Sequence, residues 1–137
     1  MPSFNRFYED LVDADIDWVA DDINAALLTT SWTPDRTADY YDELTNELAA
    51  GNGYTTGGEL LTTKAVATAA NVVYLEADDI AWTFTATKVF RYVVFYKDTG
   101  TPATSALIWY VDLGALSLSG TYTIQLNALG LISLEDV

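Results

Sequence analysis

The chain has 137 residues, of which 20 are acidic and six are basic, so its net charge at pH 7 is -14. This balance disfavours nucleic acid and acidic membrane surfaces as partners, because both attract lysine and arginine. Half of the residues are hydrophobic, which argues against disorder, and the length suits one domain whose core needs no metal or disulfide.

The first segment, "SFNRFYEDLVD", predicts a short amphipathic helix. Phe4, Phe7, Tyr8 and Leu11 recur at helical spacing, and Ser3 is available as an N-cap. These four apolar residues are the candidates for a subunit or partner interface, and their burial within their own subunit is an equal alternative. The N-terminus lacks the apolar run of a signal peptide, so we expect a soluble protein that is not exported by that route.

The next stretch, "DADIDW", sets aspartates at alternate positions, as a calcium-binding EF-hand loop does. Such a loop needs glycine at its sixth position and a bidentate glutamate at its twelfth, where this chain has Trp18 and Asn24. We therefore predict no metal site but a polar turn, in which Ile16 and Trp18 point inward and the carboxylates stay in water. The aspartates concerned are Asp13, Asp15 and Asp17.

A strand is predicted over residues 22–30, followed by a turn in "SWTPDR". The spacing of apolar residues in "ADYYDELTNELAA" predicts a short helix or helical turn. The loop "GNGYTTGG" resembles a phosphate-binding loop but lacks the Gly-Lys-Ser/Thr ending and a following helix. A surface loop is the better interpretation, with positive φ at some of its glycines, Gly51, Gly53, Gly57 and Gly58.

From Glu59 onward the pattern is that of short β-strands rich in Val, Ile, Thr and aromatic residues. In "TYTIQL", Tyr122, Ile124 and Leu126 face one side and the polar residues face the other. The runs "KVFRYVVFYK" and "ALIWYV" are apolar on both faces, as in central strands that are covered twice. One cover is expected to be a second sheet, and the other the N-terminal helices or a neighbouring subunit. The predicted strand runs are "ELLTTKAVAT", "NVVYLEA", "DIAWTFTA", "KVFRYVVFYK", "ALIWYVD", "GTYTIQLN" and "GLISLED".

These elements predict a mainly β fold, an antiparallel β-sandwich or jelly-roll-like domain with a short N-terminal α-helix and one further helical turn. Residues 1–137 are expected to form one domain, in which the acidic segment 1–50 packs on an antiparallel β core at 59–135. Residues 1–47 hold twelve acids and two arginines, so most of the negative charge lies there.

Little in the chain points to catalysis or to a cofactor. Histidine and cysteine are both absent, which removes the commonest general base and a common nucleophile. Trp82 and Trp109, in apolar strand runs, are predicted to be buried, and Trp18 to be partly buried. A sugar or peptide site is the alternative for a set of strand aromatics that more often form core. That set is Trp82, Tyr92, Tyr96, Trp109 and Tyr110.

The order of segments resembles a family of small virion structural proteins of tailed bacteriophages. The resemblance runs over nearly the whole chain and is most specific in "LTNELAAGNGYTTGG", "ADDIAW" and "RYVVFYKDTG". None of these segments is a catalytic signature. The resemblance therefore implies a structural component of the virus particle that is not an enzyme.

Within that class we expect a capsid decoration (cement) protein that binds the major capsid protein on the outer surface of the head, after assembly in the host cytoplasm. A homo-oligomer, with a trimer favoured, would suit the symmetric positions of a capsid lattice. The alternative is a tail, fibre or baseplate component that binds tail proteins. A carbohydrate-binding module is a distant third.

Overall fold

The computed structural model describes residues 2–70, 72–126 and 132–135. Over these residues the protein is mainly β, with one helix, α1 (Asn5–Val12), and 3-10 turns at Tyr41–Glu43 and Pro102–Thr104. All strand pairs are antiparallel, which confirms the predicted sandwich-like fold class. The strands are β1 (Ile23–Leu28), β2 (Glu59–Leu60), β3 (Ala65–Ala69), β4 (Val72–Glu76), β5 (Ile80–Lys97), β6 (Leu107–Ile124) and β7 (Ile132–Glu135).

These strands form two sheets. The large sheet has the order β2-β1-β5-β6, and the small sheet has the order β3-β4-β7. The predicted strand at 22–30 is β1, and it lies inside the large sheet between β2 and β5. The helical turn predicted in "ADYYDELTNELAA" is the 3-10 turn at Tyr41–Glu43.

The long hairpin of β5 and β6 corrects the prediction of four shorter strands. Each of the two strands has 18 residues. Their register shifts between Phe84 and Lys88 and again between Phe90 and Tyr92. Extra residues are accommodated there as bulges, which bend a strand without ending it. A β-rich sequence without Gly or Pro at the bulge in β5 therefore continues as one strand.

β1 and residues 92–96 of β5 are buried on both faces, which confirms the prediction for "KVFRYVVFYK". The run "ALIWYV", also predicted to be a central strand, instead belongs to β6 at the edge of the large sheet. In β1, Ala25 and Leu27 belong to one core cluster, and Ala26 and Leu28 belong to a second. The first cluster is covered by residues from α1, the following turn and β4, namely Phe7, Ile16, Trp18 and Leu75. The second is covered by Phe4 and by the segment after β1, through Trp32, Ala38, Tyr41 and Leu44. The loop after β1, more than a helix, thus provides the second cover.

Burial of the strand tryptophans is confirmed, since Trp82 and Trp109 are almost fully enclosed. Trp109 stacks on Phe95 with ring centroids 4.6 Å apart. Trp18 is more deeply buried than predicted: its ring lies 5.4 Å from that of Trp109, and its Nε1 donates a hydrogen bond to the Glu76 carbonyl at 3.0 Å. This hydrogen bond joins the aspartate-rich turn to β4, and the Trp18 ring is part of the first core cluster.

The start of α1 also differs from the prediction, because Phe4 and not Ser3 occupies the N-cap position. Residues before the helix run extended along β6, where Ser3 bridges to Trp109 and the Phe4 amide donates to the Ile108 carbonyl at 2.9 Å. This pairing keeps Ser3 in the sheet and shifts the first helical residue to Asn5. Within the described ranges, no helix has the length and hydropathy needed to cross a membrane.

Candidate functional site

The aspartate-rich turn after α1 uses its carboxylates to hold its own backbone. Asp17 Oδ1 accepts hydrogen bonds from the amides of Val19 and Ala20, both at 3.0 Å, and Asp21 Oδ2 accepts one from the Asp17 amide at 2.8 Å. Ile16 is buried while Asp17 is exposed, as the turn interpretation predicts. Among the described residues, no three acidic side chains are grouped as metal ligands.

The structure divides the four predicted interface residues into two pairs. Phe4 and Phe7 are fully buried within their own subunit, whereas Tyr8 is 48% exposed and Leu11 is 36% exposed. Val12, 86% exposed, extends the exposed pair to the end of the helix. The side of α1 that carries Phe7 is therefore buried, and the side that carries Tyr8, Leu11 and Val12 is exposed.

The buried side of α1 includes a carboxylate that sequence reasoning missed. Asp10 is only 2% exposed, and its Oδ1 accepts a hydrogen bond from Arg6 Nε at 2.7 Å. Burial raises the pKa of the Asp10 carboxyl, and the adjacent Arg6 guanidinium opposes that rise. The i, i+4 spacing of Arg6 and Asp10 could have predicted this ion pair, but not its burial, because such pairs usually lie on exposed helix faces.

A cleft of about 270 Å³ lies beside this ion pair, and its lining includes Arg6 and Lys97, which both contact other groups of the protein. The Arg6 guanidinium lies over the ring of Tyr40, 5.2 Å from its centroid. Lys97 Nζ lies 3.0 Å from Asp21 Oδ2 and donates to the Asp15 carbonyl at 2.6 Å. These contacts tie α1 to the loop after β1 and tie the aspartate-rich turn to the end of β5, which is a structural role.

Glu47 is the centre of a second polar cluster. Its Oε1 accepts hydrogen bonds from the Tyr54 hydroxyl and the Gly57 amide, both at 2.7 Å, and its Oε2 accepts one from the Tyr41 hydroxyl. The Tyr54 oxygen also accepts from the Leu27 amide at 3.0 Å, on the part of β1 that lies beyond β2. Burial and the Glu47 carboxylate raise the pKa values of Tyr41 and Tyr54.

This cluster borders a cleft of about 260 Å³ lined in part by Tyr41, Tyr96 and Asp98. The two tyrosine rings stack 4.5 Å apart, and the Tyr96 hydroxyl donates to the Gly57 carbonyl at 2.7 Å. Burial raises the pKa of Tyr96 to about 12. Asn24 donates to Asp98 at 3.0 Å. The tyrosines and Asp98 therefore serve to hold the loops together, and a neutral tyrosine is a weak nucleophile.

The aromatic residues considered for a sugar or peptide site form core instead. Four of the five are buried, and Tyr110 is half-buried and packs against the second core cluster. Trp32 packs edge-on against two of them, with centroid distances of 5.0 Å to Tyr92 and 5.3 Å to Tyr110. Tyr96 stacks on Tyr41 and Trp109 on Phe95, so the faces of these two rings are occupied by other side chains of the same chain.

The glycine-rich loop packs backbone against backbone. Its four glycines all have positive φ, as the surface-loop interpretation predicts. A Cβ atom at Gly58 would lie 1.7 Å from the Ala25 carbonyl oxygen, and one at Gly53 would lie 2.0 Å from that of Thr83. The glycines therefore allow the loop to cover the large sheet closely, on both β1 and β5.

Exposed, uncharged strands form the remaining candidate surface. No charged residue occurs between Lys64 and Glu76 or between Asp112 and Glu135. None of the residues of β3 is buried, and Val66 is 54% exposed. On the outer face of the hairpin, Val89 is 49% exposed and pairs with Ser117. Sequence analysis predicted these strands but not that their apolar side chains would be uncovered.

Comparison with known proteins adds no relative, since no family model, no curated protein and no solved structure matches this chain.

Proposed function

We propose that this protein is a non-enzymatic virion structural protein of a tailed bacteriophage, and that it acts as a capsid decoration protein. In this role it binds the major capsid protein on the outer surface of the assembled head and stabilises the shell. The similarity of the sequence to small virion proteins supports the class. The polar clusters, whose carboxylates and hydroxyls hold loops together, support a structural role.

The observation that carries the decoration role is the separation of charge along the chain. The acidic residues are concentrated before residue 48, whereas β3, residues 72–75 of β4 and residues 113–124 of β6 carry no charge. A protein on the outside of a shell needs one surface that favours water and another that can lie against protein. The uncharged strand β3, with its exposed Val66, suits the second requirement, because little desolvation of charge opposes its burial.

Weak contacts are sufficient for such a protein. A capsid presents the same site many times, so contacts between neighbouring decoration subunits raise the effective concentration of each one at the lattice. A small homo-oligomer gains further from this effect. The sandwich-like fold provides a rigid scaffold that holds the uncharged strands in place without an ordering cost on binding.

The test is the copy number and location of the protein in purified virus particles. Quantitative mass spectrometry should give a count comparable to that of the major capsid protein, and the protein should remain with heads after heads and tails are separated. Particles assembled without it should lose DNA more readily on heating. At most a few dozen copies that remain with tails would refute decoration and favour a tail component.

A further inference from the structure

Strand β3 is uncovered on both of its faces and along one edge. Four of its five residues are exposed, and Ala67 is half-buried. The order β3-β4-β7 places it at the margin of the small sheet, and no other described strand pairs with its outer edge. A strand in this position presents free backbone donors and acceptors to any strand that approaches.

The face of β3 that carries Val66 continues the core of the protein. Val66 is paired with Leu75 of β4, and directly opposed residues of an antiparallel pair lie on the same side of the sheet. Leu75 is only 6% exposed and belongs to the first core cluster, yet Val66 is 54% exposed. The apolar side of the small sheet therefore extends past the point where this chain covers it.

β3 differs in charge from the other edge strands of the two sheets, since β2, β6 and β7 each contain an acidic residue and β3 contains none. Exposed edge strands are commonly protected from pairing by charged residues, especially lysine, or by proline. Residues 65–75 contain none of these, although the chain as a whole carries a net charge of -14. Two copies of so acidic a protein repel each other, and the repulsion is weakest where an uncharged strand meets another uncharged strand.

We propose that β3 is a self-association surface, through which two copies of the chain join their small sheets edge to edge. Antiparallel pairing of the same strand is self-complementary and generates a two-fold axis. An axis through Ala67 would place Val66 opposite Thr68 of the second copy, and the joined sheet would have six strands. The result is a dimer, unlike the trimer expected from lattice symmetry alone. The proposal is independent of the decoration role, because it concerns the isolated protein.

The first test compares two valines of equal exposure. Val66 is 54% exposed on β3 and Val19 is 53% exposed in the turn after α1. The wild-type protein should have the mass of a dimer by analytical ultracentrifugation at physiological salt. Val66→Lys should dissociate it, because the substitution places two like charges near the axis, whereas Val19→Lys makes the same change in net charge and should remain dimeric. A wild-type protein that stays monomeric up to its solubility limit, or that is a trimer, refutes the proposal.

Cysteine cross-linking gives a second test that does not depend on a charged substitution. The natural chain has no cysteine, so each single variant carries one thiol. Ala67→Cys should form an intermolecular disulfide when diamide is added as oxidant, since directly opposed residues of antiparallel strands have Cα atoms about 4.5 to 5.5 Å apart, within the range of about 4.4 to 6.8 Å that a disulfide needs. Val19→Cys should remain largely uncross-linked. Circular dichroism checks that each variant is folded, and a dimer that Ala67→Cys fails to capture would place the interface elsewhere.

Discussion

The two sheets differ in how completely the chain covers them. In the large sheet, β1 and the adjoining half of β5 are buried on both faces. The edge of β1 beyond β2 is closed at Leu27, whose amide donates to the Tyr54 hydroxyl and whose carbonyl accepts from the Leu48 amide at 2.8 Å. In the small sheet, Leu75 is the single buried residue of β3 and β4. The difference indicates that the large sheet holds most of the stability, whereas the small sheet is available for association.

The largest effect is expected from Trp109→Ala in the large sheet. Trp109 is fully buried between Trp18, Phe7 and Phe95, so its loss removes several ring contacts and leaves a cavity. We expect the free energy of unfolding to fall by about 3 to 5 kcal/mol, measured by urea denaturation. An unchanged midpoint would contradict the conclusion that stability resides in this sheet.

The glycine loop that covers the large sheet should be almost as sensitive. Gly58→Ala introduces a Cβ 1.7 Å from a carbonyl oxygen at a positive φ, so we expect a loss of about 2 to 4 kcal/mol. Gly51 also has positive φ but no atom near its Cβ position, and Gly51→Ala should cost about 1 kcal/mol. Equal losses in the two variants would mean that close packing of the loop on β1 contributes nothing.

Sequence reasoning captured the local features of this protein better than the tertiary ones. β-Branched residues before a turn identified β1, alternation identified the face of "TYTIQL", and the loop motif requirements identified the aspartate-rich turn, because all three signals depend on neighbouring residues. It did not find the burial of Asp10, the role of Glu47 or the exposure of Val66. Each of these depends on contacts between segments distant in the sequence, which spacing alone does not encode.

A matched pair of valines measures the difference between the sheets directly. Val93 of β5 is fully buried, and Val93→Ala should cost about 2 kcal/mol through lost burial and a small cavity. Val66→Ala, made in β3, should cost less than about 0.5 kcal/mol. Both variants are to be measured by urea denaturation at a dilution where self-association is absent. A large loss from Val66→Ala under that condition would show that β3 is covered within its own subunit.

The smallest effect is expected from Asp10, whose carboxylate is buried on α1, the helix that packs on the large sheet. The pKa of Asp10 lies above its ordinary value of 3.8 in the folded protein, so its stabilising contribution is present below pH 3.8 and is lost as the pH rises through the raised pKa. Asp10→Asn should therefore gain stability relative to the wild type as the pH is raised from acid to neutral.

Asp112 provides the opposite case as a control for that measurement. Hydrogen bonds from the Arg91 guanidinium, with Nη2 2.8 Å from Asp112 Oδ2, help to lower the pKa of this exposed carboxyl to about 2. Its contribution is present above the ordinary value of 3.8 and is lost as the pH falls through about 2, so Asp112→Asn should be less stable than the wild type at neutral pH and equal to it in strong acid. Urea denaturation of both variants across this pH range measures the two trends. If Asp10→Asn instead followed the trend of Asp112→Asn, attraction to Arg6 would outweigh the cost of burying the Asp10 charge.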